Sequence, residues 1–400
     1  MNSTSNEILP QDYRMTELGP LPKEWEIINL DEIIDLKRGI SWRKEEANKE
    51  GNGIPVIGIP NIKENGIIDF IDTYFLTKDI PVDKMLRIND ILFVGSSGSI
   101  KNIGRNVLIR EIQKNKFTYA SFTFLGRVDP LKANSEYIFY LLNSPMVDYN
   151  KYARRASDGK YNFQLTQFKN EQKLPLPPLP EQQRIAAVLS AVQEAKEKTQ
   201  AVIDTTKALK KSMMKHLFTY GQVSPEETEN VQIKETEIGK VPKDWEIVKL
   251  GEVAEISSGG TPSRKRNEYW IDGNISWIKS EQCHDCYISV ANEYITDLGL
   301  ENSSAKMLKK GTVLLAMVGA TIGKTGFLTF EACTNQNIAG IFSTNGLNNL
   351  FLYYALQSRY NEFEKIKGYG IANLSYLRQF KIPLPPLPVQ QKIASILSAI

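Results

Sequence analysis

The 400-residue sequence is poor in two residue types on which much protein chemistry depends: it has three cysteines and two histidines. So few thiols, in odd number, argue against a disulfide-held secreted scaffold and fit a reducing cytoplasm. His216 and His284 leave little material for acid–base catalysis, and neither has a plausible nucleophile partner near it in the chain. Net charge is scarce as well. The 49 Lys and Arg residues against 46 Asp and Glu leave +3, so any attraction to phosphate must come from local patches. The longest apolar run, Val313 to Ala320, is too short to span a bilayer, and the first residues lack the basic start and apolar core of a signal peptide. With 42% hydrophobic and 24% charged residues, the expectation is a cytoplasmic, non-membrane protein of two or three domains.

What the sequence does contain is an internal repeat, carried by two pairs of segments. LGPLPKEWEIINLDEI at 18–33 matches IGKVPKDWEIVKLGEV at 238–253 in eight of sixteen positions, so Trp25 corresponds to Trp245. LPLPPLPEQQRIAAVLS at 174–190 matches IPLPPLPVQQKIASILS at 382–398 in twelve of seventeen. The first module is twelve residues longer between its markers. Matched ends imply one docking surface used twice; divergent interiors imply two different things held or read.

Short apolar runs punctuated by Gly, Asn and Asp read as strands: 55–59, 91–94, 106–109 and 120–128 in the first module, 275–278, 312–318 and 338–342 in the second. One helix per module is expected, over 137–142 and 351–356, which gives an α+β class with a twisted sheet or irregular barrel in each half. The proline run 174–180 fixes an extended path and aims a long helix. From Glu181 to about Phe218 there is no Pro or Gly, and Ile185, Val188, Val192, Val202, Leu209 and Met213 recur at coiled-coil spacing. A second proline run launches only a short helix before Ile400.

Motifs for chemistry fail on inspection. The segment 319–325 mimics a nucleotide-binding loop, but Val318 stands where the first glycine is needed. Cys283-His284-Asp285-Cys286 is half a zinc site without a second ligand pair. No Asn/Asp-Pro-Pro-Tyr/Phe tetrad of a methyltransferase occurs. Neither a catalytic site, a metal site nor a cofactor is expected.

The duplicated P-K-[ED]-W-E-I and P-L-P-P-L-P-x-Q-Q-[RK]-I-A segments resemble the specificity subunit of type I restriction-modification systems, over essentially the whole chain. The resemblance implies two target recognition domains, each reading half of a split double-stranded DNA site, joined by long coiled-coil helices with a pseudo-twofold repeat. It implies methyltransferase subunits and motor-endonuclease subunits as partners that supply all catalysis. The corresponding division is a leader 1–17, recognition domain 18–177, spacer helix 178–220, acidic linker 221–237, second recognition domain 238–386 and truncated helix 387–400. A coiled-coil adaptor for two protein partners is the alternative, and it needs no basic loops.

DNA reading calls for cations and amides on exposed loops. Candidates in the first module are Lys37, Arg38, Trp42, Arg43 and Lys44; Lys101 and Arg105 in a glycine-rich segment; and Arg154, Arg155, Lys160 and Asn162 in KYARRASDGKYN. Their counterparts in the second are Thr261, Arg264, Lys265 and Arg266, then Lys324, then Lys367, Tyr369 and Asn373.

Overall fold

The computed structural model describes residues 10–63, 66–112, 116–344, 346–366 and 372–400. The chain divides into two compact units, Met1–Lys198 and Thr199–Ile400. Both mix strands and helices, in the expected α+β class.

The two units repeat one topology. In the first, a sheet runs Asn106–Leu108, Ile91–Val94, Thr123–Val128, Ile34–Arg38, all antiparallel. The second has Thr325–Leu328, Val313–Ala316, Ile338–Ser343, Ala254–Ser258 in the same order, extended by Cys286–Ile288 on one edge. The central strands, such as Ile91–Val94 and Val313–Ala316, are buried along their whole length, which explains why they read as continuous apolar runs rather than alternating ones. A smaller sheet pairs Thr118–Tyr119 in parallel with Ile54–Ile57, matched by Cys333–Thr334 on Ile275–Ile278.

The repeated sequence markers are bonded to each other. Glu26–Asn29 pairs antiparallel with Lys173–Leu176, and Glu246–Lys249 with Lys381–Leu384. The Trp-Glu-Ile segment and the proline run therefore form one two-stranded foundation in each unit, and its conservation across the repeat has a single cause. Pro175 and Pro383 lie within these strands, and because each sheet has only two strands, every strand has a free edge where a missing donor costs little.

The helix Leu179–Tyr220 follows in 42 residues without a break. The short helix Leu387–Ser398 occupies the equivalent place in the second unit. Each is fixed by a buried glutamine from the repeated Gln-Gln pair. Gln182 Oε1 accepts from Asn134 N and its Nε2 donates to Pro177 O, both at 2.8 Å. Gln390 Oε1 accepts from Asn348 N and its Nε2 donates to Pro385 O, again both at 2.8 Å. Asn134 and Asn348 in turn cap the helices Ser135–Leu142 and Asn349–Ser358 through their side chains.

Three details differ from the sequence reading. The expected leader and acidic linker each contain the first strand of a hairpin: Tyr13–Thr16 pairs with Gly19–Pro22, and Ile233–Thr236 with Gly239–Pro242. Thr16 and Thr236 each donate to the glycine carbonyl three residues on, at 2.7 Å, so Thr-Glu-x-Gly is part of the repeat and each unit begins before residues 18 and 238. Each unit also has a further short helix, Leu165–Glu171 and Leu374–Gln379, beyond the one helix expected per module. Of the expected coiled-coil positions, Ile185 and Met213 pack against the cores of their own units. Val188, Val192, Val202 and Leu209 are exposed.

Candidate nucleic-acid interface

At one end of each unit the same set of backbone hydrogen bonds gathers four loop segments. In the first unit, Gly39 N donates to Thr123 O and Ile40 N to Tyr119 O, which brings the exit of strand Ile34–Arg38 against a tight turn at 120–123. That turn is closed by Thr123 N to Ala120 O at 2.8 Å. Gly95 N donates to Phe122 O at 2.8 Å, and Gly95 O accepts from Phe163 N at 2.9 Å. In the second unit Gly259 N donates to Ile338 O, Gly260 N to Thr334 O, and Ile338 N closes the turn on Asn335 O. Met317 N donates to Asn337 O at 2.8 Å, and Met317 O accepts from Ala372 N at 3.0 Å. The frame is the same and the side chains on it differ.

Glycine is required where the strand exit approaches the turn. A Cβ on Gly39 would lie 2.1 Å from Ala120 O, and one on Gly259 would lie 2.0 Å from Thr334 O. At the next contact the two units exchange bulk. A Cβ on Gly95 would meet the Phe124 ring at 2.2 Å, whereas the second unit has Met317 with Ala339 at the position of Phe124.

In the first unit a small sheet, Ala153–Arg155, Tyr161–Phe163 and Ser96–Ser97, joins two of the glycine-rich and basic candidates. Arg154 lies opposite Asn162, and Asn162 opposite Ser96, so these three share a face. Arg154 Nη1 donates to the carbonyls of Lys151 (2.9 Å) and Ala153 (3.2 Å), which aims the guanidinium. Arg155 is exposed, and Lys160 lies 3.8 Å from Asp158. Arg38, Ser121, Phe122, Asn162, Gln164 and Gln167 line an open cleft of about 470 Å³. Arg38 stands over the Phe124 ring at 5.6 Å. Tyr152, in the same basic segment, is not available for stacking: it is buried with Phe163 and Phe168, its ring 5.1 Å from that of Phe168.

Other candidates have their charge offset or their side chain occupied. Lys37 is half-buried and pairs with Asp35 (3.3 Å) and Asp83 (3.8 Å). Trp42 packs beside Tyr74 and a small core of Val56, Leu76 and Ala120. Arg43 and Lys44 are exposed, with Glu46 beside them. Hydrogen bonds from the Arg43 backbone and then Lys78 hold that carboxyl below its ordinary range. Lys101 is exposed on a turn, and Arg105 reaches Asn102 Oδ1 at 3.4 Å.

In the second unit Thr261 Oγ1 donates to Gln336 Oε1 at 2.5 Å. Arg264 stacks on Trp270 at 3.4 Å and pairs with Glu293; Lys265 is exposed; Arg266 pairs with Glu268 at 3.2 Å. Lys324 pairs with Asp285 at 2.7 Å and lies over Tyr360, so it serves the fold. Asn373 caps the helix Leu374–Gln379 by accepting from Tyr376 N at 2.8 Å. Lys367 and Tyr369 lie outside the described residues. In the Cys-His-Asp-Cys segment, burial raises the Cys283 thiol to about 12, and Asp285 accepts from Thr325 N and Oγ1. Among the described residues no cluster of His, Cys, Asp or Glu could hold a metal, and no helix is long and apolar enough to cross a membrane.

Glu293 is shared by Arg264 and Lys279. Burial pushes its carboxyl up, but hydrogen bonds from Lys279 and Arg264 outweigh this and hold it below the ordinary glutamate range. The stability this triad supplies is present above that range and is lost as pH falls through the lowered value. Glu293→Gln frees two cations, so the variant is expected to elute from a heparin column at higher salt than the parent protein at neutral pH. An unchanged elution would mean that neither cation reaches a polyanion.

Sequence reasoning missed the turn residues Ser121, Phe122, Gln336 and Asn337. The available signal was their position: a polar or lone aromatic pair between two short apolar runs, at corresponding places in the repeat.

The model of the type I restriction modification DNA specificity domain matches residues 22–205 and again 242–400. The type I restriction enzyme MjaVIII specificity subunit of Methanocaldococcus jannaschii is 28% identical over 95% of this chain and 87% of its own. The MjaIX specificity subunit of the same organism is 34% identical over 42% of this chain and 40% of its own. Among solved structures, the type I restriction-modification S subunit from M. genitalium superposes with a TM-score of 0.64 at 16% identity, covering 94% of this chain and 88% of that one.

Proposed function

The chain belongs to the type I restriction-modification DNA specificity family, with the domain present twice, and from that premise we propose that each unit reads one half of a split double-stranded DNA target through its four-loop cluster. The observation that carries this reading is the common hydrogen-bond frame: Gly95 and Met317 join equivalent turns to equivalent segments, while the side chains presented there differ. One docking geometry with two sets of readers is what a two-part target requires. Arg154, Arg155 and Lys160 are suited to phosphate, and Asn162 to a base edge.

The chain is a recognition subunit and performs no chemistry. Methyltransferase subunits add the methyl mark to adenine, and motor-endonuclease subunits use ATP to translocate and cut unmarked DNA. The long helix sets the spacing of the half-sites and docks the methyltransferase subunits, a role supported by the exposed Val188, Val192, Val202 and Leu209. Reduced thiols and a DNA target fit the cytoplasm.

The test is to purify the chain with methyltransferase subunits encoded beside it, methylate a random-sequence DNA library and map the modified adenines. The expected result is a motif of two short specified blocks separated by an unspecified gap of fixed length. A single continuous motif, or methylation without sequence preference, would overturn the proposal.

A further inference from the structure

We propose that the turns 120–123 and 335–338 are the base-reading elements of the two units, with Phe122 providing an apolar contact to one half-site and Gln336 and Asn337 a hydrogen-bonding contact to the other. This deepens the DNA-recognition reading and rests on it.

The backbone of each turn is held on both sides, by Thr123 N on Ala120 O and Gly95 N on Phe122 O in one unit, and by Ile338 N on Asn335 O and Met317 N on Asn337 O in the other. The Phe122 side chain contributes nothing to that frame. The residue is 62% exposed although its neighbours Ala120, Thr123 and Phe124 are buried, and it sits in a cleft whose other walls include Arg38, Asn162 and Gln167. A single exposed phenyl ring is ordinary on a protein surface, but one set in a cleft beside a guanidinium and amides, on a turn held without it, is placed to meet an apolar group. Double-stranded DNA offers two such partners, the thymine methyl group and the faces of an opened base step.

The equivalent turn of the second unit carries opposite chemistry. Gln336 is exposed, and its Oε1 is steadied by the Thr261 hydroxyl at 2.5 Å, which leaves the amide NH₂ to donate outward. Asn337 follows it with a second amide. An amide pair on a fixed turn can satisfy the donor and acceptor pattern of a base edge, which a phenyl ring cannot. The rigid backbone means that little ordering entropy is lost when either contact forms. Identical turns with opposite readers would therefore give half-sites of different sequence from one architecture.

The experiment uses the chain assembled with its methyltransferase subunits and reads the methylated-adenine motif of four forms: parent, Phe122→Ala, the double exchange Ser121→Gln with Phe122→Asn, and Gln336→Ala with Asn337→Ala. Phe122→Ala should relax discrimination at one or two bases of a single half-site by roughly tenfold or more, with the other half-site and the gap unchanged. The double exchange should alter the same bases, and the Gln336/Asn337 variant should alter the other half-site only. Thermal melting of each form guards against unfolding, which these exposed side chains should not provoke. If all forms keep the parent motif, the turns are not readers, although the DNA reading stands. If the parent itself yields no two-part motif, the DNA reading fails first.

Discussion

Gln182→Leu is expected to destabilise the first unit by about 2–6 kcal/mol, while Gln183→Leu, one residue away, should change stability by less than about 0.5 kcal/mol. Gln182 is buried and Gln183 exposed. Leucine at 182 fills the space but leaves Asn134 N and the Pro177 carbonyl without a partner, and each unpaired buried group costs roughly 1–3 kcal/mol. The loss is large against the 5–15 kcal/mol that typically holds a domain together. It also strikes two features at once: the start of the long helix and the backbone of Asn134, whose side chain caps Ser135–Leu142. Gln390→Leu should do the same to the second unit, with a second acceptor, Gly346 O, also affected. Urea unfolding followed by Trp fluorescence checks the prediction. Equal effects at positions 182 and 183 would show that the Gln182 hydrogen bonds do not fix the start of the helix.

That pair of neighbours marks the boundary of what the sequence discloses. The repeat was legible because the foundation strands, the proline runs and the first glutamine recur, and they recur because they bond to one another in each unit. Nothing in Gln-Gln distinguishes the buried residue from the exposed one; only the strand pairing of Leu174 with Ile28 decides which way the helix begins. The central strands were legible from their apolar runs. The turn residues were not, since exposed side chains that no core demands leave no periodicity.

The cations were legible only as composition. Lys37 meets Asp83, Lys324 meets Asp285 and Arg264 meets Glu293, partners 29 to 46 residues away, so a local count of basic residues overstated the charge each segment presents. In the segment 151–162, nearness in sequence does not mean shared exposure. Tyr152 lies two residues before Arg154 in sequence, yet it ends the helical turn Tyr149–Tyr152 with its ring in the core, while the strand that follows leaves Arg154 and Arg155 exposed.

The same distinction between paired and presented charge sets the second large expected effect. Neutralising Arg154, Arg155 and Lys160 together to alanine should weaken DNA binding by the complex on the order of 10²-fold near 0.15 M salt and flatten the slope of log affinity against log salt by up to about 2.7. Each cation that meets a phosphate releases a counterion, and three lost contacts remove that release three times over. Lys160 should contribute least, because Asp158 lies 3.8 Å from it, and Arg154 most, because two carbonyls already hold its guanidinium in place and binding then orders little. Lys37→Ala is the matched control. Its ammonium is shared by Asp35 and Asp83, so its removal should leave the slope nearly unchanged. The methylated-adenine motif of the triple variant should stay that of the parent, since phosphate contacts position the protein while base contacts specify the sequence. A triple variant with the parent's salt slope would place the phosphate path elsewhere on the first unit, and a changed motif would move these residues from positioning to reading.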